Sequence, residues 1–224
     1  MLSHLCLPVG MPGAEVAKLD ELVTERVRIA KHRALYQVGD AVDAVYALRF
    51  GSLRTQLEPA DGQVQITGFH LPGEIVGLDA TGQPRHVSSA VALEDSEVCV
   101  IRLDAIDRIA VQVPALQAQM RKLMSREISR SQQMLLTLGT LNADQRVAGF
   151  LLNLSQRLAG LGYSPSEFIL RMSREEIGNY LGLTLETVSR LLSRFARDGL
   201  IEVHLRDIRI VDGAALKQVF GQDC

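Results

Sequence analysis

The period of the apolar positions changes several times along this chain, and each change marks a different kind of element. Near the N-terminus Val16, Leu19, Leu22 and Val23 recur at helical spacing. That predicts a short amphipathic helix over residues 14–27, behind an irregular lead-in over residues 1–13. From residue 34 to about 103 the pattern becomes short β runs: Ala34-Leu35-Tyr36, Val45-Tyr46-Ala47-Leu48, Gln65-Ile66-Thr67-Gly68-Phe69 and Val98-Cys99-Val100-Ile101. Between them stand the turn signals Val38-Gly39-Asp40, Phe50-Gly51-Ser52, Ala60-Asp61-Gly62 and Leu71-Pro72-Gly73. Many short strands with regular turns predict a small barrel or sandwich. After Pro114 a long helix is predicted over residues 115–138, with Leu116, Met120, Leu123, Met124, Ile128, Leu135 and Leu138 in a near-heptad stripe interrupted at Ser131. Such a stripe fits a dimer seam or packing against the chain's own β domain, and different faces can do both. A further helix over residues 142–160 turns Val147, Phe150, Leu151 and Leu154 inward, and residues 162–171 form a connection.

Residues 172–197, MSREEIGNYLGLTLETVSRLLSRFAR, read as a helix-turn-helix. Ser173 is an N-cap, with Glu176 three positions on to close a capping box. Gly182 sits where a left-handed residue ends the first helix, Thr184 caps the second, and Asp198-Gly199 stops it. On the second helix Val188, Leu191, Leu192 and Phe195 face a core. Glu186, Ser189, Arg190, Ser193 and Arg197 form one polar face opposite. That face suits a DNA major groove: Arg190 can fork onto guanine, Glu186 can accept from cytosine N4, and Ser189 can serve either. Alone, such a face reads more simply as a solvated one; the two capped helices around a tight turn favour DNA. Arg174, Thr184, Arg194 and Arg197 are the candidate phosphate contacts. Beyond this stretch Leu200-Ile201-Glu202-Val203 and Ile208-Arg209-Ile210-Val211 alternate around a turn near Arg206-Asp207, a hairpin wing, and residues 213–220 form a closing helix. The fold class is α+β.

Composition narrows the picture. At 224 residues and 47% apolar the chain holds one large domain or two small ones. Its net charge of −2 does not advertise nucleic acid, so DNA binding has to rest on local charge. Three cysteines argue against a disulfide framework and for a reducing cytosol. No apolar run is long enough to span a bilayer and no signal peptide is evident, so a cytoplasmic location is expected. The five histidines and the acids form no spaced metal or nucleophile motif, so an enzyme is not expected.

The order of β domain, long helix and winged helix-turn-helix, with these motifs, resembles the bacterial CRP/FNR transcription regulators over essentially the whole chain. It is nearest their FNR (fumarate and nitrate reduction) branch. Gln65-Ile66-Thr67-Gly68-Phe69-His70-Leu71, residues 120–125 and residues 177–184 look like that branch, and Glu186, Ser189 and Arg190 match its base-reading triad. The resemblance implies a cyclic-nucleotide-binding-like β-roll over residues 14–113, a dimerisation helix over 114–140 with Met120, Met124, Ile128, Ser131 and Leu135 on the seam, and a DNA-binding domain over 141–224. It implies a homodimer reading a TTGAT…ATCAA palindrome in double-stranded DNA, its recognition helices roughly 34–36 Å apart. It also implies control of anaerobic or redox-responsive genes, and contact with RNA polymerase through β-domain loops such as Asp61-Gly62.

The resemblance implies a sensor as well. The FNR branch holds a [4Fe–4S] cluster on four cysteines; Cys6 and Cys99 stand at two of those positions, and the other two would precede Met1. Three readings stay open: a recorded start downstream of the natural one, which the two matching positions favour; a cluster-free relative; and a partial site using His4. Plain core packing is the alternative for Cys99. Where the branch carries an acidic residue on the seam this chain has Ser131, so readier dimerisation without a cluster is expected. Gly73-Glu74-Ile75-Val76-Gly77 resembles the opening of the cAMP-binding cassette, but its Arg-Ser pair is broken as Arg85-His86-Val87-Ser88, so cAMP is not expected. The function expected is a DNA-binding transcription regulator; a small-molecule-binding module whose winged domain makes protein contacts is the alternative.

Overall fold

Strand β1 shows why a non-local partner overrides a local pattern. It spans Val23–Ile29 and lies antiparallel to β8, Ser96–Arg102, with Arg26 opposite Cys99 and Arg28 opposite Glu97. The helix expected over residues 14–27 is therefore wrong from Val23 onward: Val27 and Ile29 alternate with Arg26 and Arg28, and the pairing with β8 selects that period of two. The computed structural model describes residues 22–59 and 62–221; the lead-in with His4 and Cys6, the first part of the expected helix, Ala60, Asp61 and Cys224 lie outside them. The chain divides into two compact units, Met1–Ser131 and Gln132–Cys224.

The first unit is a two-sheet β-roll. One antiparallel sheet has the order β1-β8-β3-β6 and the other β2-β7-β4-β5, where β2 is Ala34–Tyr36, β3 Ala44–Phe50, β4 Leu53–Leu57, β5 Gln65–His70, β6 Ile75–Val76 and β7 Ser89–Ala92. Strands β4, β6 and β7 escaped the sequence reading. The pleat divides the core. Leu48 and Val98 face Leu53, Ala90 and Ala92 of the opposite sheet. Val45, Cys99 and Ile101 point the other way, into a second cluster with Leu22, Ile106 and Leu116. That second cluster is covered by two helices, α1 (Leu103–Gln112) and the start of α2 (Pro114–Thr140). Helix α1 was also not expected. Pro114 opens α2 at the position where its missing N–H costs nothing.

The second unit holds α3 (Ala143–Gly160), α4 (Arg174–Leu181), α5 (Leu185–Arg197), α6 (Gly213–Phe220) and a three-stranded sheet. Helix α3 opens with a full capping box between Asn142 and Gln145. The sheet has the order β10-β11-β9, with β9 Glu167–Ile169, β10 Ile201–His204 and β11 Asp207–Ile210. Residues 162–171 thus contain a strand that the sequence reading left as a connection. The hairpin turn is Leu205-Arg206, one residue earlier than expected. Gly149 on α3 lets α6 close in, since a Cβ there would meet the Phe220 ring at 2.6 Å. No helix among the described residues is long and apolar enough to cross a membrane.

Candidate nucleic-acid interface

Helix α4 begins where the cap chemistry directs. Ser173 Oγ accepts from the Glu176 N–H at 3.1 Å, and Glu176 returns a carboxylate oxygen to the Ser173 N–H at 2.6 Å. The helix ends at Gly182, whose φ of 64° and ψ of 39° are left-handed. The Leu183 N–H then donates to Gly178 O at 2.8 Å, closing the turn. A Cβ on Gly178 would lie 2.7 Å from Leu183 O, so this position accepts only glycine without moving the backbone. Thr184 Oγ1 accepts from the Thr187 N–H at 3.2 Å and starts α5.

One side of α5 is sealed: Val188, Leu191, Leu192 and Phe195 are all buried. The opposite side presents Glu186, Arg190, Ser193 and Arg197 to solvent, with Ser189 half-buried beside them. The Glu186 backbone N–H, the Thr184 hydroxyl and then the Arg190 charge hold the Glu186 carboxyl below its ordinary range, so it is an ionised acceptor at neutral pH. Arg190 donates to Thr187 Oγ1 at 3.5 Å and is exposed. Ser193 is less available, because its hydroxyl donates to Ser189 O at 2.9 Å. The four phosphate candidates differ. Arg197 is exposed. Thr184 spends its hydroxyl on the cap. Arg174 donates to Leu205 O in the wing at 3.4 Å. Arg194 is paired with Asp144 of α3.

Arg146 escaped the sequence reading and has the most consequential contacts. Its guanidinium and Nε donate to Leu138 O at 2.8 Å, Leu141 O at 2.9 Å and Leu181 O at 3.0 Å. One side chain thus satisfies the end of α2, the link to α3 and the last carbonyl of α4. No motif points to it, since all three partners are main-chain atoms.

The seam candidates on α2 separate. Leu116 is in the β-roll core, and Met120 and Leu123 pack against that core. Ile128 and Leu135 are 60% and 71% exposed, Met124 is less so, and Leu136, next to Leu135, is exposed as well. Ser131 donates its hydroxyl to Glu127 O at 3.0 Å.

The β-roll contains a cavity of about 270 Å³ lined by Thr55, Thr67, His70, Asp79, Ser88 and Glu127 among others, with no Lys or Arg in its wall. Arg85 is turned outward, donating to Gly39 O at 2.6 Å, and Ser88 donates to Asp79. An acidic wall without a cation does not fit a cyclic phosphate. Cys99 is 7% exposed, in an apolar cluster. Among the described residues no group of three or more His, Cys, Asp or Glu could hold a metal. Cys99 is the one thiol among the described residues, and a [4Fe–4S] cluster takes four ligands.

Comparison with known proteins agrees with this geometry. A Crp-like helix-turn-helix domain matches residues 145–219, and a cyclic nucleotide-binding domain matches residues 26–112. The transcriptional regulatory protein btr of Bordetella pertussis is 67% identical over 223 residues, 100% of this chain and 92% of that protein. The fumarate and nitrate reduction regulatory protein of Escherichia coli K12 is 44% identical over 220 residues, 98% of this chain and 88% of that protein. FixK2 from Bradyrhizobium japonicum superposes with a TM-score of 0.82 at 30% identity, covering 89% of this chain and 98% of its own. With both domains matched in order and relatives this similar along its length, the chain belongs to the CRP/FNR family and is a transcription regulator with a helix-turn-helix DNA-binding domain.

Proposed function

We propose that the chain acts as a homodimer that reads a TTGAT-type palindrome through Glu186, Ser189 and Arg190. The observation that carries this reading is the outward face of α5: an ionised Glu186 and an exposed Arg190 stand one helical turn apart over a fully buried underside. Arg197 then meets a phosphate, and Arg174 and Arg194 join it once released from Leu205 O and Asp144. Dimerisation runs through the exposed apolar residues of α2, Met124, Ile128 and Leu135. Ser131 adds no charge to that seam. Equilibrium titration of a fluorescent palindrome against a scrambled duplex, with stoichiometry, tests the reading. Two chains per palindrome and a clear preference over the scrambled duplex support it; equal affinity for both sinks it.

The signal is proposed on the relatives. One is named a fumarate and nitrate reduction regulatory protein, and another, from Haemophilus influenzae, an anaerobic regulatory protein. The proposed role is therefore control of anaerobic or redox-responsive genes, in the cytoplasm, through contact with RNA polymerase. A [4Fe–4S] group would need ligands beyond the single thiol among the described residues. Iron and acid-labile sulfide in protein purified anaerobically from the native locus decide this: about four of each per chain supports a cluster, and none supports a cluster-free regulator.

A further inference from the structure

We propose that Arg130 is a latch on α2: by pairing with Glu74 of its own β-roll it fixes the rotation of the helix, and so decides which face of α2 is offered to a second copy of the chain. Two stripes with alternating spacings of four and three residues run side by side along this helix. Leu116, Met120, Leu123, Glu127 and Arg130 form one, and Met124, Ile128, Ser131 and Leu135 form the other. The second stripe lies one residue on from the first, about 100° around the axis. The β-roll holds the first stripe: Leu116 is in its core, Met120 and Leu123 pack against that core, and Glu127 lines the cavity. Among the described residues Leu123 is the last of α2 to pack there. Beyond it the first stripe turns from apolar to charged, while Ile128 and Leu135 of the second are exposed. The stretch of helix that carries Ile128 is therefore held to the β-roll by polar contacts.

Arg130 supplies the central one. Its Nη2 donates to Glu74 Oε1 at 3.1 Å, and its Nη1 donates to Glu127 Oε2 at 3.5 Å within the stripe. Glu74 is a fixed anchor. Its other carboxylate oxygen accepts from the Leu71 N–H at 3.2 Å, and its carbonyl accepts from the Leu48 N–H of β3 at 2.9 Å. Gly73 before it has a φ of 89° and donates to Leu48 O at 2.8 Å, so the turn is locked onto the sheet. The Arg130 and Glu74 side chains are 36% and 21% exposed. An ion pair this wet adds little to the stability of the fold. Its leverage is positional. Arg130 and Ile128 are two residues apart, roughly 200° around the axis, so drawing Arg130 onto the β-roll turns Ile128 outward. A helix already held in that rotation has less freedom left to lose when two chains associate.

The inference rests on the proposed seam through Met124, Ile128 and Leu135, so the test includes a variant of the seam itself. The probe is the full-length protein in sedimentation velocity over a dilution series, with thermal unfolding in parallel. Glu74→Gln keeps an acceptor for the Leu71 N–H and removes the charge that Arg130 meets; Arg130→Gln removes the other half. Each should weaken dimerisation about tenfold, roughly threefold for each of the two pairs in a dimer, with the unfolding midpoint nearly unchanged. Because the two residues act through one another, the double variant should also lose about tenfold and not about a hundredfold. Ile128→Glu should be monomeric. Dimerisation of E74Q and R130Q within about twofold of wild type, with I128E monomeric, overturns the latch and leaves the seam standing. Additive losses in the double variant overturn it as well, since the residues would then act independently. A fall in unfolding midpoint that accounts for the lost dimer would make the pair a support of the fold and overturn it too. Wild-type dimerisation by I128E would fail the seam reading, and the latch with it.

Discussion

Replacing Arg146 with Ala should cost the DNA-binding unit about 3 kcal/mol. Leu138 lies in the last turn of α2 and Leu181 is the last residue of α4, so neither carbonyl has a partner within its own helix. Arg146 supplies both, and Leu141 O in the link, at 2.8–3.0 Å. A hydrogen bond to a charged donor contributes about 1.5–3 kcal/mol when well buried. Arg146 is only half-buried and water can reach some of these carbonyls, so about 1 kcal/mol for each of the three is a fair discount. Against a typical domain stability of roughly 5–10 kcal/mol that is a large share, worth roughly 10–20 °C in midpoint for a unit of this size. Arg146→Lys keeps the charge but not the fork, so it should fall nearer to Ala than to wild type. Urea and thermal unfolding of the full chain, followed by circular dichroism, measure this. An Ala variant within about 0.5 kcal/mol of wild type, the range of ordinary surface changes, or a Lys variant equal to wild type, would refute the reasoning.

Three shorter predictions concern neighbouring features. Gly178→Ala places a Cβ 2.7 Å from Leu183 O; overpacking against backbone costs about 1–3 kcal/mol while Ala gains about 1 in helix propensity, so unfolding should show a modest net loss and anisotropy a clear loss of DNA affinity. Asp144→Asn frees Arg194 from its ion pair, and if Arg194 meets a phosphate, DNA affinity should rise and its salt slope steepen, with little change in stability; an unchanged affinity removes Arg194 from the interface. His86 is 2% exposed, stacks on Tyr36 at 3.8 Å, and has no hydrogen-bond partner for either ring nitrogen among the described residues. Burial holds its pKa below 6.5, so the unfolded chain takes up the proton first and the β-roll should lose stability as pH falls below about 6.5; His86→Phe should lessen that loss, which midpoints at two pH values will read.

The helix-turn-helix was legible because its signals are local. Caps at Ser173 and Thr184, a left-handed Gly182 and a four-residue apolar spacing sit within 26 residues and all agree. The β-roll was legible as a class but not strand by strand. Val23 fitted a helix until its partner in β8 was known, and β6 has two residues, too few to show a period. The α2 stripe holds two environments that spacing could not separate: Leu116 and Met120 serve the core and Ile128 and Leu135 are exposed. Arg146 was invisible because its partners are carbonyls at positions 138, 141 and 181. The wing turn was misplaced by one residue because its left-handed position is held by a leucine, a residue that propensity would not put there.

The central claim is that Arg190 reads a base. It is tested most directly by measuring the affinity of Arg190→Ala and wild type for a panel of duplexes, each with one base pair of the TTGAT half-site replaced. The account predicts a loss of about 1–3 kcal/mol on the intact palindrome and, at one base pair of the half-site, no further loss when that pair is changed. Weakening by the same factor on every duplex, scrambled sequence included, would make Arg190 a phosphate contact and contradict the account.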